Sequence, residues 1–381
     1  MNTLKKLFMT KNKSCLSLVL GAISALAMPP FCAFPLLFIT FPIMLYIFQS
    51  AENKKKAFFY GWLFGLGYFV FGTYWISNAI INDFPYFVPF AILGLPMFLA
   101  IYTGLTGLIT KVMSKKISGL LLVLAFAVVF VLMELARGFV FTGFPWNLTA
   151  YAWSNYLSVM QVVSVVGIYG LSFISVLLFS LPYLFLTKSS KKLPAIINSV
   201  ALICLIGSGV VGHYRLKNNM QVSIFNKKVL FVQPSIPIEV SDLDSMDSFY
   251  RYAEMTENNL TDDVDIIVWG ETAIPFALNE YPNYRKFMGE LIPDGAVLLT
   301  GSIRSDAEGN YYNSIIAVGS DGDILADYDK SHLVPFGEYM PFEDTLPLEK
   351  IVGFDFVFSK GQGRKTIKID GLPSFSPLVC Y

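Results

Sequence analysis

Three residues in the carboxyl-terminal half of the chain carry side chains that could together break and re-form an acyl bond. Glu271 lies in the string WGETAIP (269–275), directly after the apolar run Asp265 to Trp269. Lys330 closes a run that follows the Asp321-Gly322 turn, in YDKSHLVPFGEYMP (328–341), and Cys380 ends the last apolar run, Pro377 to Cys380. A carboxylate can take the proton of a thiol, the thiolate can attack a carbonyl carbon, and an ammonium can stabilise the resulting oxyanion. The competing reading is that Glu271 and Lys330 are exposed or paired surface charges, as most such residues are. His213 and His332 are the only histidines. No Cys/His cluster or His-Glu-x-x-His spacing accompanies them, and no Gly loop is built to cradle phosphate, so neither a metal nor another cofactor is expected.

Such residues need elements to hold them. Lys228 to Gln233, Asp265 to Trp269, Ala296 to Ser302, Asn313 to Gly319 and Pro377 to Cys380 read as strands, being short apolar runs bounded by Gly, Pro and Asp. Met246 to Asn259 and Asn283 to Leu291 have helical character. Strand and helix alternate, which predicts an α/β domain with the candidate residues at strand ends, the usual place for ligand chemistry in open α/β sheets. Cys380 is the only thiol in this part, so no disulfide can form within it. Cys15, Cys32 and Cys204 lie in or beside apolar runs and are expected to be small buried hydrophobes.

The 381 residues are 54% hydrophobic and 15% charged, against about 25% charged in an ordinary soluble domain. A disordered chain is excluded, and a wholly soluble one is not expected. The two signs of charge are separated: residues 1–217 hold 16 Lys/Arg and 3 Asp/Glu, a balance of +13, and residues 218–381 hold 12 and 25, a balance of −13. We therefore divide the chain into 1–217 and 218–381, two domains suited to different solvents.

The first domain carries uncharged apolar runs near the roughly 20 residues that cross a hydrocarbon core. Ala57 to Ile80, Pro85 to Thr110, Leu157 to Thr187 and Leu193 to Gly212 are the longer ones; Ser14 to Met28, Ala33 to Ser50 and Ile117 to Met133 are shorter. Together they predict about seven spans. Lysines cluster before the first run (Lys5, Lys6, Lys11, Lys13), after the second (Lys54 to Lys56), after the fourth (Lys111, Lys115, Lys116) and after the sixth (Lys188, Lys191, Lys192). Every second connection is basic, which puts the amino terminus in the cytoplasm and the second domain outside. The alternative for the first run is a cleaved signal sequence ending near Ala25-Leu26-Ala27, which leaves the later topology unchanged. Glu134 and Arg137, three apart and hence on one helix face, are expected to form a structural ion pair that positions the loop GFPWN (143–147), with direct binding of a lipid headgroup as the alternative.

At these strings the chain resembles the bacterial apolipoprotein N-acyltransferases, whose outer domain belongs to the nitrilase (carbon-nitrogen hydrolase) superfamily. WGETAIP resembles the family's glutamate motif, YDKSHLVPFGEYMPF its lysine motif and PLVCY its cysteine motif. FGTYWI (71–76) and MELARGFVFTGFPWN (133–147) match its membrane part.

The resemblance implies an α-helical transmembrane bundle followed by an extracytoplasmic α/β nitrilase-like domain, an αββα sandwich. It implies a monomer in the bacterial inner membrane that takes a fatty acyl chain from a phospholipid as a thioester. The acyl chain then passes to the free α-amine of a diacylglyceryl-cysteine apolipoprotein; no nucleic-acid partner is expected. Carried over by motif, Cys380 is the nucleophile, Glu271 the general base and Lys330 the oxyanion stabiliser, with Glu338 and Tyr381 in support. Family members carry a Trp shortly after the strand that here reads VQPSIP, where this chain has Ile238-Glu239-Val240-Ser241-Asp242. The family also continues past the position of Tyr381, so the domain is expected to be incomplete at its carboxyl end. Three alternatives follow: a split or inactive remnant of the enzyme, a membrane amidase or nitrilase, and a transporter with an outer binding domain.

Overall fold

The computed structural model describes residues 12–79, 81, 85–187, 190–219, 226–236, 245–335, 337–339 and 357–380. Tyr381, the 238–242 stretch, the lysines at 5, 6, 11 and 188, and the end of the lysine string at 340–341 lie outside the described residues. The chain forms two compact units, Met1–Val222 and Ser223–Tyr381.

The first unit is helical. Its helices are α1 (Lys13–Ala25), α2 (Leu37–Gln49), α3 (Lys54–Thr73), α4 (Leu95–Met113), α5 (Leu120–Phe139), the short α6 (Leu157–Met160), α7 (Val163–Ser180), the short α8 (Tyr183–Thr187) and α9 (Lys192–Asn219). Side-chain oxygens of Asn12 and Asn53 accept from Cys15 N and Lys56 N and so cap α1 and α3. The run read as continuous to Ile80 leaves the α-helix at Thr73 and becomes a 3₁₀ helix over Tyr74–Ala79. Among the described residues, four stretches are long and apolar enough to cross a membrane: Pro85–Met113, Leu120–Phe139, Val163–Thr187 and Lys192–Asn218. Lys13–Ala25 and Phe34–Gln49 are shorter apolar helices.

Glycine lets α1, α3 and α4 meet backbone to backbone. A Cβ at Gly21 would run into the Phe64 carbonyl of α3, and one at Gly61 into the Thr103 carbonyl of α4. Elsewhere the unit packs aromatically: Phe41 lies 6.3, 6.4, 5.3 and 6.2 Å from the ring centroids of Phe64, Phe126, Phe130 and Phe179. Cys32 is buried as expected, but Cys15 and Cys204 are exposed on their helices.

The loop after α5 is fastened by buried charge, though not by the ion pair the spacing led us to expect. Among the described residues no direct contact joins Glu134 and Arg137. Arg137 Nη1 instead donates to the Phe144 and Trp146 carbonyls at 2.7 and 2.5 Å. Glu134 Oε1 accepts from Thr149 N and Thr149 Oγ1, both at 2.8 Å. Each ion answers backbone groups that would otherwise be buried without partners.

The second unit is a mixed sheet, order β1-β2-β4-β5-β6, with β3 also paired to β4. The strands are β1 (Val229–Phe231), β2 (Ile266–Val268), β3 (Ile274–Ala277), β4 (Val297–Ser305), β5 (Tyr311–Gly319) and β6 (Ile324–Asp329). The β1-β2-β4 ladder and the β3-β4 pair are parallel, and β4-β5-β6 is antiparallel. Helices α10 (Ser245–Asn259) and α11 (Pro282–Glu290) contribute Phe249 and Met288 to a core that includes Ile267, Leu298 and Ile316. Trp269 Nε1 donates to Thr256 Oγ1 at 2.9 Å, tying the end of β2 to α10.

The β4–β5 hairpin turns on Asp306. Its carboxylate accepts from Glu308 N, Asn310 N, Asn310 Nδ2 and Tyr312 Oη at 3.0, 2.8, 2.9 and 2.8 Å. These bonds, the Asn310 side chain first among them, hold its carboxyl down to about 2. One strand, β3, was not among those read from the sequence, whereas β6 is the run after Asp321-Gly322 that Lys330 was expected to close. Pro377 to Cys380, read as a strand, is extended chain without ladder partners among the described residues. Proline removes one ladder donor there, and the nearby ties are the Ile367–Phe375 bridge and the 3.5 Å contact of Thr366 Oγ1 with Ser376 Oγ.

Candidate active site

Glu271 follows β2 by way of Trp269 and Gly270, in a turn where Thr272 takes a φ of +51°. Trp269 N donates to Leu299 O at 2.9 Å and Gly301 N to Gly270 O at 3.1 Å, which lays this turn against β4. The contact needs glycine. A Cβ at Gly301 would lie 2.5 Å from Gly270 O, 2.5 Å from Thr272 N and 2.7 Å from Glu271 Cα. The sequence reading placed Glu271 in an apolar setting, yet the residue is exposed, with Oε1 accepting from Asn313 Nδ2 at 2.9 Å.

Lys330 directly follows β6. Its amide donates to Asn313 O on β5 and its carbonyl accepts from Gly361 N, both at 2.9 Å. The preceding residue, Asp329, is locked by Arg304 Nε and Nη2 at 2.8 and 2.7 Å and by Ser314 Oγ at 2.6 Å. That carboxylate raises the Arg304 guanidinium above its ordinary value, so the lock stays charged. The Lys330 side chain is only 4% exposed and meets Glu338 Oε1 at 2.8 Å. Burial of an ammonium at this depth requires such a counter-charge.

Glu338 is held in turn. Its Oε2 accepts from Val334 N at 2.8 Å, and its amide closes the same turn on Val334 O at 2.9 Å. Its Oε1 takes a second bond, from Asn313 Nδ2 at 2.9 Å. The amide of Asn313 therefore bridges two carboxylates, Glu271 on one side and Glu338 on the other. The result is an unbroken chain, Glu271–Asn313–Glu338–Lys330, drawn from the end of β2, the middle of the sheet, the loop after β6 and the end of β6.

Asn313 is the residue that sequence reasoning missed. It was read only as the start of a strand, and its one signal was a carboxamide inside an otherwise apolar β-type run. Cys380 is not brought into the chain. It is exposed, with a φ of +59°, a left-handed backbone unusual for a non-glycine residue. Among the described residues no hydrogen bond joins it to Glu271 or Lys330, and none of the His, Cys, Asp and Glu residues gather in groups of three or more suited to a metal ion.

A carboxylate and an ammonium fixed at the ends of strands, with a thiol as the third candidate, could together serve acyl chemistry. The carbon-nitrogen hydrolase family profile matches residues 231–381, and the apolipoprotein N-acyltransferase N-terminal domain matches residues 20–181. Among curated proteins, the apolipoprotein N-acyltransferase of Allorhizobium ampelinum is 34% identical over 97% of this chain and 74% of its own length. That of Rhodopseudomonas palustris is 35% identical over 97% and 73%, and that of Brucella melitensis 34% over 95% and 72%. A solved glutamine-dependent NAD+ synthetase from Acinetobacter baumannii overlays on 35% of this chain and 24% of its own, with 20% identity and a TM-score of 0.25, too loosely to add to the fold. Helical unit and sheet unit thus each match the corresponding part of one kind of enzyme, and relatives of that kind match along nearly the whole chain: the protein belongs to the apolipoprotein N-acyltransferase family.

Proposed function

We propose that this chain N-acylates lipoproteins, moving a fatty acyl chain from a phospholipid to the α-amine of a diacylglyceryl-cysteine through a thioester on Cys380. The observation that carries the reading is the buried Lys330–Glu338 pair linked by Asn313 to Glu271, within a chain whose relatives carry this activity in their name.

In the first step Glu271 takes the Cys380 proton and the thiolate adds to the ester carbonyl. Lys330 meets the oxyanion, and collapse expels the lysophospholipid alkoxide, which recovers the proton from Glu271. In the second step the amine adds to the thioester carbonyl, Glu271 removes its proton, and the thiolate leaves as the amide forms. Glu338 holds Lys330 in place, and Tyr381 supports the cysteine.

We place residues 1–217 in the inner membrane as seven spans with the amino terminus in the cytoplasm, and residues 218–381 on the outer side, acting as a monomer. The alternation of lysine clusters supports that orientation. A bundle of this kind lets the donor's acyl chains stay in hydrocarbon while the ester reaches the thiol. The test uses purified protein in vesicles with an alkyne-tagged phospholipid and a diacylated lipopeptide. Wild type should form a hydroxylamine-sensitive adduct that disappears when lipopeptide is added, and Cys380→Ala should form none. Equal labelling of Cys380→Ala would place the nucleophile elsewhere.

A further inference from the structure

Helix α9 is fastened to the rest of the helical unit by polar and backbone contacts near its two ends, and between them Ala201 and Leu205 face the unit's core. Near its carboxyl end, Gly212 lies so close to Ser158 O of α6 that a Cβ would collide, and Arg215 Nη1 donates to Gln161 O at 3.4 Å and to Ser164 Oγ. Near its amino end, Asn198 Nδ2 reaches Leu181 O at 3.5 Å. Between these points lies a cavity of about 320 Å³, walled by Leu171, Leu178 and Leu181 on one side and Ala201, Cys204 and Leu205 of α9 on the other. A volume of this size falls in the range of small-molecule sites, roughly 300–1,000 Å³.

The chemistry of the walls selects the occupant. Beside the Cys204 thiol, three side chains with nitrogen or oxygen donors reach the cavity, and each of the three has its donor engaged: Trp153 Nε1 donates to Ser175 Oγ, Ser175 Oγ to Leu171 O and Ser208 Oγ to Leu205 O, all at 2.7 Å. Water gains little in such a space, because an apolar cavity offers it no partners. Hydrocarbon loses nothing there. The opposite face of α9 is also apolar and exposed, at Leu202, Ile203 and Ile206, so the cavity adjoins a surface suited to lipid.

A positive charge stands above it. Arg215 lies seven residues past Ser208, hence on the same helix face and about 10 Å further along the axis. It is exposed, and among the described residues no carboxylate pairs with it. Its known bonds use Nη1, which leaves the fork of Nε and Nη2 for an anion; a phosphate fits that fork.

We propose that one phospholipid molecule sits as an ordered wedge between α7 and α9, with an acyl chain in the cavity and its phosphate on Arg215. The site involves no residue of the Glu271–Lys330 chain. It rests on the reading above only in that these helices lie in a bilayer, and its test reads binding rather than acyl transfer.

The full chain is reconstituted in phosphatidylethanolamine and phosphatidylglycerol vesicles with a phosphatidylglycerol carrying a diazirine midway along one acyl chain. After illumination the adducts are mapped by peptide mass spectrometry. Adducts on Leu178, Leu181, Ala201 and Leu205 should exceed those on the outward residues Ile203 and Ile206 several-fold. Ala201→Phe, which fills the cavity, should remove that excess and leave outward labelling unchanged. Arg215→Gln should reduce it without touching the walls. Equal labelling of both faces, or an excess that survives both substitutions, would overturn the proposal. No adducts on either face would overturn the membrane reading and the proposal with it.

Discussion

Adding one methyl group to β4 should disable the base without touching it. In Gly301→Ala the new Cβ would lie 2.5 Å from Gly270 O and Thr272 N and 2.7 Å from Glu271 Cα, all of them backbone atoms that no rotamer can move aside. Comfortable non-bonded carbon contacts are about 3.5–4.0 Å, so something must give by about 1 Å. The strand is paired to β2, β3 and β5, whereas the turn carrying Glu271 is held by few bonds, so the turn moves. A shift of about 1 Å takes the 2.9 Å bond between Glu271 and Asn313 beyond hydrogen-bonding range and displaces the carboxylate proposed as the base. Misplacement on that scale costs about 10²-fold in rate, while overpacking costs about 1–3 kcal/mol of stability. The comparison is Gly270→Ala, whose Cβ would meet the Tyr252 hydroxyl at 2.7 Å, the tip of a side chain rather than backbone. Thioester formation should therefore fall about 10²-fold in Gly301→Ala and far less in Gly270→Ala, measured with tagged phospholipid alongside thermal melts. Wild-type labelling rates in Gly301→Ala would refute both the steric argument and the role given to Glu271.

Asn313→Ala should lower the acylation rate by about 10²-fold, as expected when a preorganised donor is removed, and Asn313→Asp should lower it further by setting a third carboxylate beside two others; single-turnover acylation checks both. Glu338→Gln removes the counter-charge of a buried ammonium, and differential scanning calorimetry should show a loss of about 3–5 kcal/mol. Asp306 titrates below its ordinary value, so its contribution to stability is complete above an unfolded pKa of about 3.9 and is lost as pH falls toward 2. Amide exchange across the β4–β5 hairpin should accelerate in that window in the wild type and show a weaker acid dependence in Asp306→Asn. For topology, a reporter active only when exported should work after Gly212, and one active only in the cytoplasm should work after Lys56; the opposite result at either site would remove the proposed orientation.

The sequence revealed the elements better than their contacts. Glu271 and Lys330 were legible as strand-end residues because DIIVW and the run after Asp321-Gly322 are bounded by turn formers, and β2 and β6 do end just before them. Strand β3 was harder to read because it carries Pro275. The apolar PLVC looked like a strand, yet a strand exists only where a neighbour supplies a ladder. Asn313 was invisible for a related reason: its importance comes from standing beside two carboxylates 42 and 25 residues away in the chain, which depends on sheet pairing and loop closure. The spacing of Glu134 and Arg137 correctly put them on one helix face, but it could not show that the loop's carbonyls and amides would be their partners.

The amide of Asn313 has two hydrogens, and both are committed, one to Glu271 and one to Glu338. It has no donor left for a third acceptor, so an incoming carbonyl oxygen cannot borrow this nitrogen unless a carboxylate lets go. The ammonium of Lys330 is in the opposite position. It has three hydrogens, and one goes to Glu338. Within this chain of four residues, hydrogen-bond donation to the oxyanion of the proposed reaction would thus fall to the lysine by count alone, and the asparagine serves as a fixed spacer between two carboxylates.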